Sequence, residues 1–186
     1  MNDPVMLWLA GAVLLFWAMG AYNRLVRLRS RGLAAFVVLA GRFDQLIALV
    51  RSTLPAYVTQ SVPDAQDQAG AAAADAWAAL DAAAQQLQVS LKVARSKPLN
   101  APTASALKTA FETLCSCWSR LQDLPCDLPD LAPPASLPNQ WQQLALQTEL
   151  ARADFNETVA NYNQAISQFP ALLLAALFVL RPAQPI

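Results

Sequence analysis

The sequence predicts an all-α protein: an N-terminal transmembrane helix continuous with a long antiparallel four-helix bundle, and a short hydrophobic C-terminal helix. Three observations lead to this prediction. The chain of 186 residues is 55% apolar and only 14% charged, which is rich in apolar residues for a soluble domain. An uncharged apolar run lies near the N-terminus. Beyond it, apolar residues recur at the three- and four-residue steps of helices.

Composition argues against several functional classes. The formal net charge is zero and the basic residues form no extended face, so a nucleic-acid interface is not expected. The absence of histidine removes the commonest general base and the commonest metal ligand. We therefore expect a protein that is not an enzyme, with no catalytic residue, metal site, cofactor or small-molecule substrate.

The cysteines are predicted to be free thiols. Cys115, Cys117 and Cys126 are odd in number, which disfavours a secreted disulfide framework. The C-x-C pair could supply two metal ligands, but a thiolate site needs four and only Cys126 remains.

Residues 1–21 are predicted to form a membrane anchor. The run from Val5 to Ala21 carries no charge, and at about 1.5 Å per residue it just reaches across a bilayer core. A cleavable signal peptide is the alternative, since Ala18 and Gly20 could form a cleavage site. The uncleaved anchor is favoured because the first four residues, MNDP, provide no positive charge.

Charges on either side of this segment predict its orientation. Asp3 precedes it, and four arginines follow within ten residues: Arg24, Arg27, Arg29 and Arg31. By the positive-inside rule the N-terminus lies outside and the bundle in the cytoplasm. Arg24, Arg27, Arg31 and Arg181 are expected to reach the lipid headgroups.

Residues 22–169 are predicted to form the bundle. In the first helix a heptad seam continues from the anchor, with an irregularity expected near Pro55. The seam positions are Tyr22, Val26, Arg29, Leu33, Phe36, Ala40, Phe43, Ile47, Val50, Leu54 and Tyr57.

Three further helices complete the predicted bundle. The second runs from Asp64 to Lys97, and a shorter third helix starts at Pro102. Residues 125–138 contain too many prolines for a helix and are interpreted as an extended connection. The fourth helix covers Asn139 to Phe169.

An aromatic residue followed by Asn occurs twice in the fourth helix, at Phe155-Asn156 and at Tyr162-Asn163. The aromatic residues lie on a heptad seam that ends at Phe169. Each Asn lies at the edge of the seam, where it could bond across a helix interface and fix its register; two solvated amides are the alternative.

The up-down-up-down order brings Phe169 close to Tyr22 and the lipid surface. Arg29 is then expected to be buried against Tyr162 and Asn163, with Glu157 as the nearest carboxylate. Residues 170–186 form a hydrophobic tail. Its apolar part, Ala171 to Leu180, is too short to span a membrane and either lies at the interface or caps the bundle.

Two stretches resemble the LemA family of bacterial membrane-anchored proteins: AYNRLVRLRSR, Ala21 to Arg31, and ARADFNETVANYNQAISQFP, Ala151 to Pro170. The chain departs from the family pattern at Gly32 and Phe36. The resemblance implies an antiparallel bundle on a single-pass anchor in the bacterial inner (cytoplasmic) membrane, and it implies no chemistry. The family-pattern positions are Tyr22, Asn23, Arg29, Arg152, Phe155, Asn156, Tyr162, Asn163, Phe169 and Pro170.

The leading functional hypothesis is a membrane-anchored scaffold or adaptor whose partners are the lipid bilayer and a protein. The alternative is a membrane-remodelling or lipid-surface-binding module that uses the tail and the arginines. Glu149, Asp154 and Glu157 could bind a metal inside a bundle, but a solvated charged face explains them better.

Overall fold

The computed structural model describes residues 3–58, 68–123, 133–169, 171–173, 178 and 181–186. Its long helices are α1 (Asp3–Val58), α2 (Gln68–Ser96), α3 (Ala101–Gln122) and α4 (Leu137–Ser167). The all-α prediction is confirmed. α1 runs without interruption from the apolar N-terminal segment into the bundle, passing Pro55 by three residues before it ends.

Proline positions set several of the helix boundaries. α2 ends before the turn at Lys97 and Pro98, and α3 begins with Pro102 in its first turn. The Thr103 hydroxyl donates to the carbonyls of Lys97 and Asn100, both at 2.8 Å, and so ties the turn to α3. At these N-terminal positions proline is tolerated because its missing N–H has no partner within the helix.

Proline is also tolerated in the first turn of α4, which therefore starts earlier than predicted. Leu137 and Pro138 are its first residues, so the last two residues of the connection predicted at 125–138 are helical. Residues 133–136 are not helical, and 124–132 lie outside the described residues.

The helices pack as a bundle in which α1 lies between α4 and α2, and α2 lies beside α3. α3 and α4 meet through large side chains. The rings of Trp118 and Trp141 stack with centroids 4.6 Å apart and planes at 18°. Phe43 reaches Phe111 across the core at 5.1 Å, so aromatic rings fill the wider gap beside α3.

The heptad seam of α1 is confirmed from Phe36 to Leu54, where its residues are buried. Nearer the N-terminus the prediction is wrong: Tyr22, Val26, Arg29 and Leu33 are exposed. α1 there buries the adjacent face, which includes Leu25 and Gly32. At this level α2 has already ended in its turn to α3, so the face of α1 that would contact α2 has no helix beside it.

Gly32 marks the level at which this change occurs. A Cβ at this position would lie 3.7 Å from Leu99 Cδ2 in the turn and 3.9 Å from Thr158 Cγ2 on α4. A methyl group here would therefore make ordinary van der Waals contacts. We call the part of the bundle between this level and the apolar segment the proximal end; it is built on α1 and α4.

The first part of α1 exposes its apolar side chains. Trp8 is 82% and Phe16 81% exposed. The stretch Gly11–Leu54 contains an 18-residue window that is long and apolar enough to cross a membrane, with a mean hydropathy of 1.8. Its later residues are buried in the bundle. The exposed N-terminal part is thus suited to be a membrane anchor or a signal sequence.

Cys115 and Cys117 are free, half-buried thiols, and Cys126 lies outside the described residues. Burial raises the pKa of the Cys115 thiol from 9.0 to about 11. The nearby carboxylates of Glu149 and Glu112 add to the rise and Arg152 opposes it. Only the thiolate is a strong nucleophile, so this pKa makes Cys115 unreactive at neutral pH.

We predict that iodoacetamide alkylates Cys115 very slowly in the folded chain. In a Cys117→Ala background at pH 8, the rate should be roughly 100-fold below that of the chain unfolded in denaturant, because the thiolate is so much scarcer. The rate should keep rising up to about pH 11. Mass spectrometry of the labelled peptide gives both rates, and a folded-state rate that levels off near pH 9 would contradict the assignment.

Candidate functional site at the proximal end

The two asparagines of the repeated pairs hold the C-terminal tail against α4. The Asn163 side chain donates to the carbonyl of Ala183 at 2.7 Å and accepts from the N–H of Ala183 at 2.9 Å. Asn156 makes the same two bonds to Ile186, both at 2.9 Å. We call Asn156 and Asn163 the tail clamp. Each amide satisfies both backbone groups of one residue, which a carboxylate could not do.

The spacing of the clamp matches that of the tail. Seven residues of α-helix separate the two asparagines by about 10.5 Å. Three residues of extended chain, from Ala183 to Ile186, cover about 9–10 Å. The seven-residue repeat of the aromatic–Asn pairs therefore has a cause: it is the helical spacing that reaches two backbone sites three residues apart.

Prolines in the tail suit it to this contact. Pro182 and Pro185 each precede a residue that the clamp binds, so the clamped positions keep their N–H groups. Proline also restrains the residue before it to extended conformations, which lowers the entropy lost on binding. A three-residue period places Ala183 and Ile186 on one side of the tail, and both side chains are buried.

Tyr162 lies between the two clamp residues. Its ring is buried and its hydroxyl donates to the Arg181 carbonyl at 3.3 Å. Burial raises the pKa of this hydroxyl, and the positive charge of Arg29 offsets part of the rise. The phenol thus stays protonated and remains a hydrogen-bond donor at neutral pH.

The prediction that Arg29 is buried is wrong. This residue is exposed and, with Tyr162 and Arg181, lines an open cleft of about 650 Å³ that the α2–α3 turn closes on one side. The predicted proximity to Tyr162 is therefore observed, but the amide of Asn163 is used by the tail. The amide of each aromatic–Asn pair on α4 bonds to the tail backbone and not to another long helix.

The chain returns to the apolar segment, as the up-down order predicted. The Phe169 ring lies 5.7 Å from Trp17, and the Phe178 ring lies 5.0 Å from Tyr22. Phe169 itself is 74% exposed and does not extend the buried seam, because α4 ends at Ser167.

Part of the predicted short C-terminal helix lies within the described residues. Residues 171–173 are helical, and Pro170, 174–177 and 179–180 lie outside the described residues. Ala171 is buried. The exposed apolar side chains of this region form what we call the apolar ridge, which consists of Phe169, Leu172, Leu173 and Phe178.

A second feature lies on a different face of the α1–α4 pair. Three arginines of α1 and polar residues of α4 line an open groove of about 720 Å³, which we call the arginine groove. Its polar lining residues are Asn23, Arg24, Arg27, Arg31, Asn161, Gln164 and Gln168. The predicted surface arginines of α1 therefore share one site, whereas Arg181 lies with the tail.

Two of the family-pattern residues support packing between helices. Arg152 forms an ion pair with Glu149 at 3.0 Å and lies over the Phe111 ring of α3, 5.9 Å from its centroid. Phe155 is fully buried and meets the Phe36 ring edge-on at 6.0 Å. Both residues join α4 to its neighbours and take no direct part in the groove or the clamp.

The residues that complete the tail clamp and the arginine groove were not predicted from the sequence. Sequence analysis placed neither Ala183 and Ile186 in the clamp nor Gln164 and Gln168 in the groove. The three-residue spacing of Pro182 and Pro185, set beside the seven-residue spacing of the asparagines, was the signal available for the clamp. Within the described ranges, no three Cys, Asp or Glu side chains come together as a metal site.

We predict that removal of a clamp amide releases the tail. Asn163→Leu loses two hydrogen bonds, and at about 1 kcal/mol each the Ala183 amide should exchange with deuterium roughly 30-fold faster. Mass spectrometry of the C-terminal peptide measures the exchange. Gln143→Leu, which removes an exposed amide elsewhere on α4, is the control and should change nothing. Unchanged exchange in Asn163→Leu would show that the clamp does not hold the tail.

The comparison with protein families gives one match. The LemA family pattern covers residues 83–185, which is more than half of the 186-residue chain and includes α3, α4 and most of the clamped tail. Searches of curated proteins and of solved structures give no match. The family match includes the aromatic–Asn pairs of α4, which belong to one of the two stretches that carried the sequence resemblance, and the chain belongs to the LemA family.

Proposed function

We propose that this LemA family protein is a membrane-anchored helical scaffold or adaptor, whose bundle presents a binding surface to a protein partner in the cytoplasm. The continuity of α1 carries this proposal. The helix runs from its exposed apolar segment to Val58 with no break, so movement of the anchor and of the bundle is coupled. From Arg24 to Val58 it extends about 50 Å at the α-helical rise.

The outer face of α4 offers a surface for a partner. Leu146 and Leu150, one turn apart, are 63% and 64% exposed. Two neighbouring exposed leucines lose contact with water when a partner covers them, which favours association. Val89 and Val93 form a similar but smaller exposed pair on α2.

The orientation of the bundle rests on the arginines that follow the apolar segment. By the positive-inside rule they favour a bundle on the cytoplasmic side. A bacterial inner-membrane location accords with this arrangement, and the protein partner is then a cytoplasmic or membrane protein.

The test is cross-linking in intact membranes with the full chain, followed by purification. We expect one protein to be recovered with the native chain and lost with Leu146→Ser/Leu150→Ser. It should be retained with Val89→Thr/Val93→Thr, the matched change on α2. Circular dichroism should show equal helix content in all three chains, since the substituted residues are exposed. The same set of recovered proteins from every chain would contradict the proposed surface.

A second function, binding to the lipid surface, is favoured by the position of the apolar ridge. Phe178 and Phe169 touch Tyr22 and Trp17, so the ridge lies beside the last turns of the apolar segment. If that segment spans the bilayer, the ridge enters the same leaflet. Phe178 also joins an almost wholly apolar cleft with Leu15, Phe16 and Met19.

Spin labelling tests this insertion in the full chain reconstituted into vesicles. The three cysteines are replaced by Ala, and a label is placed at Leu173→Cys or at Val89→Cys, positions of equal exposure at 63% and 64%. The label at 173 should be reached by oxygen better than by an aqueous nickel chelate, because oxygen dissolves in the bilayer. The label at 89 should show the reverse. Equal nickel access at both positions would exclude insertion of the ridge.

A further inference from the structure

We propose that the arginine groove is a binding site for an anionic phospholipid, with the phosphate among the arginines and the start of an acyl chain in an apolar crevice beside them. The proposal deepens the lipid-surface function and rests on it for the source of the ligand. It differs from general attraction to a charged surface because it requires particular side chains of α4.

The chemistry of the groove suits an anion. Arg24, Arg27 and Arg31 project from one face of α1, three and four residues apart. Guanidinium groups bind phosphate oxygens with paired, charge-assisted hydrogen bonds. Within the described residues that line the groove, these three are the charged ones, so their positive charge is not balanced inside it.

Opposite the arginines, α4 supplies neutral hydrogen-bond donors. Asn161 and Gln164 line the groove from α4, and Gln168 lines it at the end of that helix. Amide side chains can donate to ester or hydroxyl oxygens of a headgroup without adding charge. The groove therefore offers a cationic wall and a polar wall, an arrangement that suits a phosphodiester better than a simple inorganic ion.

An apolar crevice adjoins the groove. This smaller cavity, of about 180 Å³, shares Arg24 and Gln168 with the groove. Trp17, Leu25 and Phe169 line its apolar side. A ligand that filled both spaces would have a phosphate next to an apolar chain, which is the chemistry of a phospholipid.

The position of the crevice along α1 also suits a lipid. The crevice lies where the exposed apolar segment of α1 meets its first arginine, with Trp17 on one side and Arg24 on the other. In a bilayer this is the depth of the headgroup boundary, and arginines there gain from anionic lipids. In a bilayer the groove and the crevice would therefore lie at the depth of the lipid headgroups.

The test uses the full chain in a neutral detergent and native mass spectrometry with short-chain phosphatidylglycerol, short-chain phosphatidylcholine and inorganic phosphate. We expect phosphatidylglycerol to bind at least tenfold more tightly than either of the others. Arg27→Gln/Arg31→Gln should weaken it roughly 30-fold, as expected for two lost cationic contacts. Asn161→Ala/Gln164→Ala should weaken it as well, although it changes no charge. Arg51→Gln/Arg120→Gln, a matched loss of two exposed arginines elsewhere, should leave binding unchanged.

Each other outcome overturns the proposal. Equal loss in Arg51→Gln/Arg120→Gln would reduce the effect to net charge, and no loss in Asn161→Ala/Gln164→Ala would remove the role of α4. Inorganic phosphate that binds as tightly as the lipid would identify a free anion as the ligand. The assay needs no bilayer, so a failure here is distinct from a failure of the ridge to insert, which spin labelling reports.

Discussion

The antiparallel pairing of α1 with α4 is the contact on which the proximal end depends. The Phe36–Phe155 ring pair joins the two helices just inside the level of Gly32, and the Trp17–Phe169 pair joins α1 to the residues that follow α4. Between these two ring pairs α2 and α3 have already turned back. Two helices alone leave faces uncovered. In this LemA family protein one such face receives the tail and another forms the arginine groove, so both candidate sites are consequences of helices that differ in length.

The tail substitutes for a helix that is not there. The backbone groups of Ala183 and Ile186 form hydrogen bonds with the clamp amides in place of water. The side chains of the same two residues are buried against the bundle. An extended segment covers a narrow strip only, which leaves the cleft between Arg29 and the α2–α3 turn open. The tail therefore covers only part of the proximal end.

The sequence contained enough to predict the helices, because apolar periodicity and proline positions are local signals. It predicted the buried part of the α1 seam, from Phe36 to Leu54, for the same reason. The seam prediction is wrong at Tyr22 and Arg29 because burial there depends on where the α2–α3 turn lies along α1. At that level Leu99 of the turn lies close to Gly32, and no local pattern reveals this proximity.

The clamp was predictable only in part. The regular spacing of Asn156 and Asn163 showed that the amides share one face, but not what lies on that face. Finding the partner required the direction in which the chain returns after Phe169. The groove poses the same difficulty, since its arginines and its amides come from helices more than a hundred residues apart in the sequence.

The match between clamp and tail also constrains how the chain can change in length. An insertion or deletion between Asn156 and Asn163 would rotate one amide away from its site, and one between Ala183 and Ile186 would shift the matching backbone groups. Outside these two short segments the clamp imposes no register on the chain that joins them. Variation in length among homologous chains should therefore accumulate between the end of α4 and the clamped tail, and be excluded from the two short segments that meet there.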